Sequence, residues 1–331
     1  MQIRSQIQQS GVADEQSALI AVIRPILEGL LYALKREVVV STVGNYDKVT
    51  LSQLARLYRA GDRDCGICFE YAVHDAIMRR EAGVLERVGD ALDMCSVYGD
   101  SPDSILFGVE KAGALDLINT AKDRLTEDSR LMAGARGQPA KLKRHIDSIA
   151  AAFRKHHAGL LPYSISGLWK ADLFLGKMEP DKWVGTSVKI NIDHLEGARG
   201  LRVGIVPTRG GRSDSIQKDE SKNLVVCPLP YDGGFMEVFY SGWSIVQQFI
   251  AADAKVPKEI ALPRQIDRFV ALQLEDRRSF NVVDVIEVLK PMSQPQLLLT
   301  EESDATLVSR REAAVENETG AVIAPVAKSG N

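Results

Sequence analysis

Cysteine is scarce in this chain: four among 331 residues, with Cys65 and Cys68 forming one C-x-x-C and Cys95 and Cys227 alone. That is too few for a disulfide scaffold. No second pair stands at the spacing of a zinc site, so small apolar packing residues at a helix start fit better than metal or redox chemistry. Aromatics make up only 6%, which argues against a binding mode built on many stacked bases. Net charge is small, −3. This excludes a uniformly basic nucleic-acid coat and leaves room for a local basic groove. Long apolar runs are missing too. The most apolar early stretch, 18–34, is broken by Arg24, Pro25 and Glu28, and the first residues lack the apolar core of a signal peptide. The expectation is a soluble, cytoplasmic protein with no membrane partner. Also missing are the P-loop, the G-x-G-x-x-G turn, H-E-x-x-H and G-x-S-x-G.

What is present is a chain that is 45% hydrophobic, long enough for one large domain or two moderate ones with a sizeable core. Residues 14–36 read as helix, with Pro25 marking a kink or break. The β-branched run 37–43 reads as a strand. Thr50 can cap a short helix to about residue 60, which has a faint helix-turn-helix look, although a packing helix is the plainer reading. Asp64 can cap a stronger helix over 65–81. Helical patterns follow at 84–98 and 104–125, and Pro139 suits a first helical position. After Gly159 the pattern changes to strands at 168–175, 183–192, 201–207, 223–228 and 235–240, with a polar loop at 208–222. Helices return at 244–252 and 263–274. From residue 300 the chain is polar and aperiodic, as in a disordered tail. Helices, then strands, then helices favour an α/β (α+β) fold with a mixed central sheet flanked by helices. The organisation expected is a helical N-terminal region (1–63), a core (64–255) with a basic helical insertion at 130–157, a helical or strand extension (256–299), and the tail (300–331).

The informative constellation is Asp172 in the first strand with Ser187, Val188 and Lys189 in the second. A carboxylate at a strand end can hold Mg²⁺, which prefers oxygen ligands. A lysine two positions beyond Ser187 points to the same sheet face. There it can orient an attacking water and offset charge developing on a phosphate. The Val188 side chain would face the apolar side while its carbonyl could ligate the metal. A solvent-facing Asp172 and Lys189 on an ordinary mixed sheet is the alternative.

The stretches ADLFLG and WVGTSVKIN resemble the PD-(D/E)XK nuclease superfamily, whose fold is restriction-endonuclease-like. In that family an acid on one strand is followed by acid-x-Lys on the next. Asp172 matches the first acid and Lys189 the lysine, and Ser187 stands where the second acid is usual. The resemblance implies that an acid is then borrowed from a preceding helix. Glu70, in GICFEYAVHDAI, fits that role, since it shares a helical face with Val73 and Ile77 and a carboxylate among apolar neighbours is costly without a partner. A glutamate paired to a surface arginine is the competing reading, and His74, Asp75, Asp193 and Glu196 are weaker alternatives. The resemblance implies a Mg²⁺-dependent DNA endonuclease with Mn²⁺ able to substitute. It also implies a role in prokaryotic restriction or antiviral defence, working as a homodimer or with a partner subunit.

The segment 130–157 carries seven Lys and Arg residues against one acid, Asp147. Its apolar residues Leu142, Ile146, Ile149 and Phe153 recur at helical spacing, leaving Lys141, Lys143 and Arg144 to project toward DNA phosphates. Arg209 and Arg212, in the glycine-bearing TRGGRSD loop, could do the same, and a plain surface loop is the alternative. A DNA-binding protein without catalysis, on the same fold, is the second functional reading.

Overall fold

Side-chain alternation along the central strands makes two cores. Leu173, Leu175, Val184, Val188, Val203 and Ile205 bury into the larger one, whereas Phe174 and Trp183 from the same strands bury into a second core on the opposite face. The two-residue strand period requires this division. The computed structural model describes residues 2–58, 64–107, 123–132, 139–154, 171–196, 200–208, 213–231 and 234–293. Among these residues the protein is mixed α/β, with an eight-stranded open sheet and nine α-helices.

The strands are β1 (Asp103–Leu106), β2 (Arg130–Leu131), β3 (Ala140–Lys141), β4 (Leu173–Lys177), β5 (Lys182–Val188), β6 (Arg202–Pro207), β7 (Gln217–Asp219) and β8 (Leu224–Leu229). The main order is β1-β4-β5-β6-β8-β7. β4 is antiparallel to β5 with Leu173 opposite Thr186, while β5, β6 and β8 run parallel. At its start β5 also pairs in parallel with β2, Arg130 beside Lys182, and β2 carries β3. The strands expected at 168–175, 183–192 and 201–207 thus correspond to β4, β5 and β6, which are adjacent in one sheet.

The helices are α1 (Gln2–Ala33), α2 (Arg36–Thr42), α3 (Leu51–Leu57), α4 (Cys65–Met78), α5 (Ala82–Met94), α6 (Ile146–Arg154), α7 (Phe235–Ala251), α8 (Gln265–Glu275) and α9 (Val282–Leu289). Of these, α1 packs against α4, α7 and α9, and α4 lies against β1 and β5. The close crossings need glycine. A Cβ on Gly29 would come within 2.9 Å of the Cys68 backbone, and one on Gly242 within 2.7 Å of Val22. The segment Asp14–Ala33 has the length and composition to cross a membrane, but most of it is buried inside the protein, as in the core helix of a soluble protein.

Several expectations are corrected. Pro25 lies within an unbroken helix, since burial of an apolar face supplies most helical stability and Leu19, Ile23, Ile26 and Leu30 are all buried here. The run 37–43 falls in α2 rather than a strand: only Val39 is buried, while Val38 and Val40 are exposed. Residues 235–240 open α7. Met236, Phe239, Gly242, Ile245, Val246, Phe249 and Ile250 are its buried residues, a helical period that a six-residue window cannot reveal. Ser104 begins no helix but lies in β1, and 108–122 fall outside the described residues. Asp64 precedes α4 without a side-chain cap bond. Pro139 leads into β3, and the polar loop contains β7. The second strand stops at Val188, with Ile192 in a 3₁₀ turn. Thr50 does cap α3, through a reciprocal box with Gln53 at 3.2 and 2.8 Å. That helix buries Leu51, Leu54 and Ala55, so it packs rather than standing out as a recognition helix. The expected tail, 300–331, lies outside the described residues.

Candidate active site

Asp172 sits immediately before β4 and Lys189 immediately after β5, and the antiparallel register brings the two together. The Asp172 amide donates to the Thr186 carbonyl at 2.7 Å, and the Lys189 amide to the Ile205 carbonyl at 3.0 Å. This main-chain pairing fixes both backbones before any side-chain contact is considered. The Lys189 ammonium then donates to Asp172 Oδ2 at 2.6 Å, and the Val188 amide donates to the same oxygen at 3.0 Å. From the helical layer, Glu70 on α4 reaches the ammonium with Oε1 at 3.4 Å. The three residues expected to converge therefore do so, Glu70 and Asp172 meeting on Lys189.

The site is sheltered. The side chain of Asp172 is 4% exposed, that of Glu70 14% and that of Lys189 29%. Burial disfavours the Lys189 ammonium, but Asp172 and then Glu70 outweigh it, and its pKa is held above the usual lysine value. Ser187, on β5, accepts a hydrogen bond at 3.1 Å from Arg202, which enters from the start of β6 and is 3% exposed. Burial lowers the pKa of that guanidinium, and Asp172 partly offsets the effect. Val188 places its side chain in the main core, as expected, and turns its amide toward Asp172.

Arg202 was missing from the sequence reading. The signal was a charged residue opening the apolar run RVGIVP, on a strand flanked on both sides by others. A buried charge there requires partners, and it finds one in the Ser187 hydroxyl.

The weaker candidates lie elsewhere. His74 pairs through Nδ1 with Ser104 Oγ at 2.9 Å, and burial pushes its pKa down to about 4. Asp75 is taken by Arg79 and Arg24, at 2.5 and 3.7 Å. Asp193 and Glu196 are exposed on the turn after Lys189. In the C-x-x-C, Cys68 is fully buried with its thiol on the Ile26 carbonyl at 3.4 Å, and burial raises its pKa well above the ordinary value, as suits a packing residue.

The basic segment occupies the other end of β5. Arg130 pairs with Lys182 in register. The seven-residue step from there to Lys189 spans about 20 Å at roughly 3.3 Å per residue. Lys141 lies 3.2 Å from Asp128 and Lys143 3.7 Å from Glu127, so acids just before the segment offset part of its charge. Arg144 is exposed. Arg209 and Arg212 lie outside the described residues.

Two carboxylates and a hydroxyl are hard oxygen donors, and Mg²⁺ commonly takes only one or two carboxylates while keeping several waters. Among the described residues, no group of three or more His, Cys, Asp or Glu could hold a metal ion. Glu70 and Asp172 supply two carboxylates, the number that such a hydrated site takes. Their two negative charges are matched by the positive charges of Lys189 and Arg202.

No family model, curated protein or solved structure matches this chain.

Proposed function

We propose that this protein is a Mg²⁺-dependent DNA endonuclease on a restriction-endonuclease-like core. The observation that carries this reading is the convergence of two sheltered carboxylates, from a helix and from a strand end, on one lysine. Glu70 and Asp172 would hold the metal, with Val188 contributing its carbonyl, and Mn²⁺ would substitute. A bound dication of this kind lowers the pKa of water and polarises a phosphoryl oxygen. The chain's own groups do the rest. Lys189 positions the attacking water and offsets charge growing on the phosphate. Asp172, itself fixed by the Val188 amide, holds Lys189 in place. Ser187, backed by Arg202, offers a hydroxyl to water or phosphate. Lys141, Lys143, Arg144, Arg209 and Arg212 would neutralise the DNA backbone farther from the cut. Restriction or antiviral defence, as a homodimer or with a partner subunit, is the setting this proposal carries.

The test is incubation of the pure protein with plasmid and Mg²⁺ or Mn²⁺. Cleavage should require the metal and fall on the order of 10²–10³-fold in Lys189→Ala, with DNA affinity little changed. One observation favours the alternative of a DNA-binding protein without catalysis: the position of the second acid is a serine held by a buried arginine. DNA binding with no cleavage under either metal would decide for that alternative.

A further inference from the structure

A second feature lies along the same edge of the sheet. Lys189 follows the carboxyl end of β5, and Tyr231 stands two residues beyond that of β8, with β6 between them and all three strands parallel. Crevices outside the carboxyl ends of parallel strands are the usual ligand positions in open α/β sheets. Two strand spacings separate β5 from β8, about 10 Å.

A cavity of about 250 Å³ opens here between the middle of α7 and the start of α8. Its aromatic wall is Tyr231 and Tyr240, with ring centroids 5.7 Å apart and planes inclined at 40°. Tyr231 is 51% exposed, so its ring is open to a ligand. On the exposed side of α7, Gln248 donates to Ser244 at 3.0 Å. Arg264, also lining the cavity and 46% exposed, is paired with Asp267 at 2.5–3.1 Å and with Glu15 at 2.6 Å. The cavity thus offers ring faces, a primary amide and hydroxyls, and its cation is already neutralised by two carboxylates. That chemistry suits a flat, neutral, hydrogen-bonding ring and does not select a phosphate. The volume lies below the range of roughly 300–1,000 Å³ for drug-sized ligands.

We infer that this cavity takes one unstacked nucleobase, and that the strand entering the active site is single-stranded or locally opened. The inference rests on the nucleic-acid reading above for the identity of the strand. The scarcity of aromatics fits one stacking platform in place of many. Glutamine can pair with two edge atoms of adenine, which makes Gln248 the group that gives preference among bases.

The test measures binding by the full-length protein without metal, so that it is read apart from cleavage. Fluorescent single-stranded DNA should bind to the wild type, and Tyr231→Ala should weaken it about tenfold, within the range that one stacked base contributes. Tyr231→Phe should retain the affinity, and a duplex of the same sequence should be insensitive to either change. With an abasic strand the difference between wild type and Tyr231→Ala should vanish. Competition by adenosine at millimolar concentration would assign the cavity to free nucleosides and overturn the strand. Equal single-strand affinity in Tyr231→Ala, Tyr240→Ala and wild type would overturn the site altogether, even if the enzyme cuts plasmid. Tyrosine-dependent binding without any cleavage would instead uphold the cavity and remove the hydrolase reading.

Discussion

The two ends of β5 handle charge in opposite ways. At its start, Lys141 and Lys143 face Asp128 and Glu127 across 3.2 and 3.7 Å, and the acids are 81% and 68% exposed. At its finish, Lys189 faces Asp172 and Glu70 across 2.6 and 3.4 Å, with acids 4% and 14% exposed. The residue types are the same and the distances overlap. What differs is water. Exposed pairs are screened and contribute about 0–1 kcal/mol, whereas removing one member of a buried pair leaves an uncompensated charge. The exposed pairs at one end of the strand therefore break at little cost, and the buried ones at the other hold their groups in fixed positions.

The sharpest way to break this comparison is to delete one lysine from each end. Lys189→Ala strands two carboxylates and should cost about 3 kcal/mol or more; Lys141→Ala should cost about 1 kcal/mol at most. Chemical denaturation reads both, and equal losses would abolish the distinction. Millimolar Mn²⁺ should recover part of the stability of Lys189→Ala, because a dication can take the place of the lost ammonium between Glu70 and Asp172. It should do nothing for Lys141→Ala.

Burial should govern titration under the helices as well. Burial first, then Asp75, raises the Glu28 carboxyl from 4.5 to about 7, against the pull of Arg24. The folded protein therefore keeps a proton that the unfolded chain has released. The stability tied to this group is full below the unfolded pKa and is lost as pH rises through about 7. Glu28→Gln should accordingly stabilise the protein at pH 8, on the order of 2 kcal/mol, and have little effect at pH 4. Thermal melts at the two pH values test this. His74, near 4, acts oppositely: its contribution is present above the unfolded pKa and is lost as pH falls through about 4. In the wild type the two trends oppose each other over the same interval, so the Glu28 variant should lose stability toward acid more steeply than the parent.

The smallest stability effect should come from the exposed end. Replacing Lys141, Lys143 and Arg144 together with alanine should leave the melting temperature nearly unchanged. For each of the three that contacts phosphate, the log–log salt dependence of duplex binding should fall by about 0.9. An unaltered slope would assign these residues to a solvated face, and the ends of β5 would then differ in burial without differing in function.

Much of this was legible in the chain. Strands β4, β5 and β6 were marked by their β-branched, apolar composition, and the two-residue period foretold that Asp172 and Lys189 share a face. Glu70 stood out as a carboxylate on an apolar helical face, and Thr50 as the cap of a short helix. These features depend on neighbours a few residues away, so local rules capture them. Residues 37–43 and 235–240 went the other way. In short windows a β-branched or aromatic run reads equally as strand or helix, and only the partner surface decides, here the helical layer around α1 that takes Val39 and Phe239 into the main core.

The sequence by itself determined the alternation that divides the sheet into two faces and the presence of an acid and a lysine at its strand ends. Tertiary structure alone decided which charges are buried together. The antiparallel register of β4 on β5 sets Asp172 beside Lys189, the seating of α4 on β1 and β5 brings Glu70 from 119 positions away, and the parallel pairing of β6 drives Arg202 under Ser187. Periodicity along a chain specifies a face. It does not specify which distant element will cover that face, because that choice is made by the packing of whole surfaces.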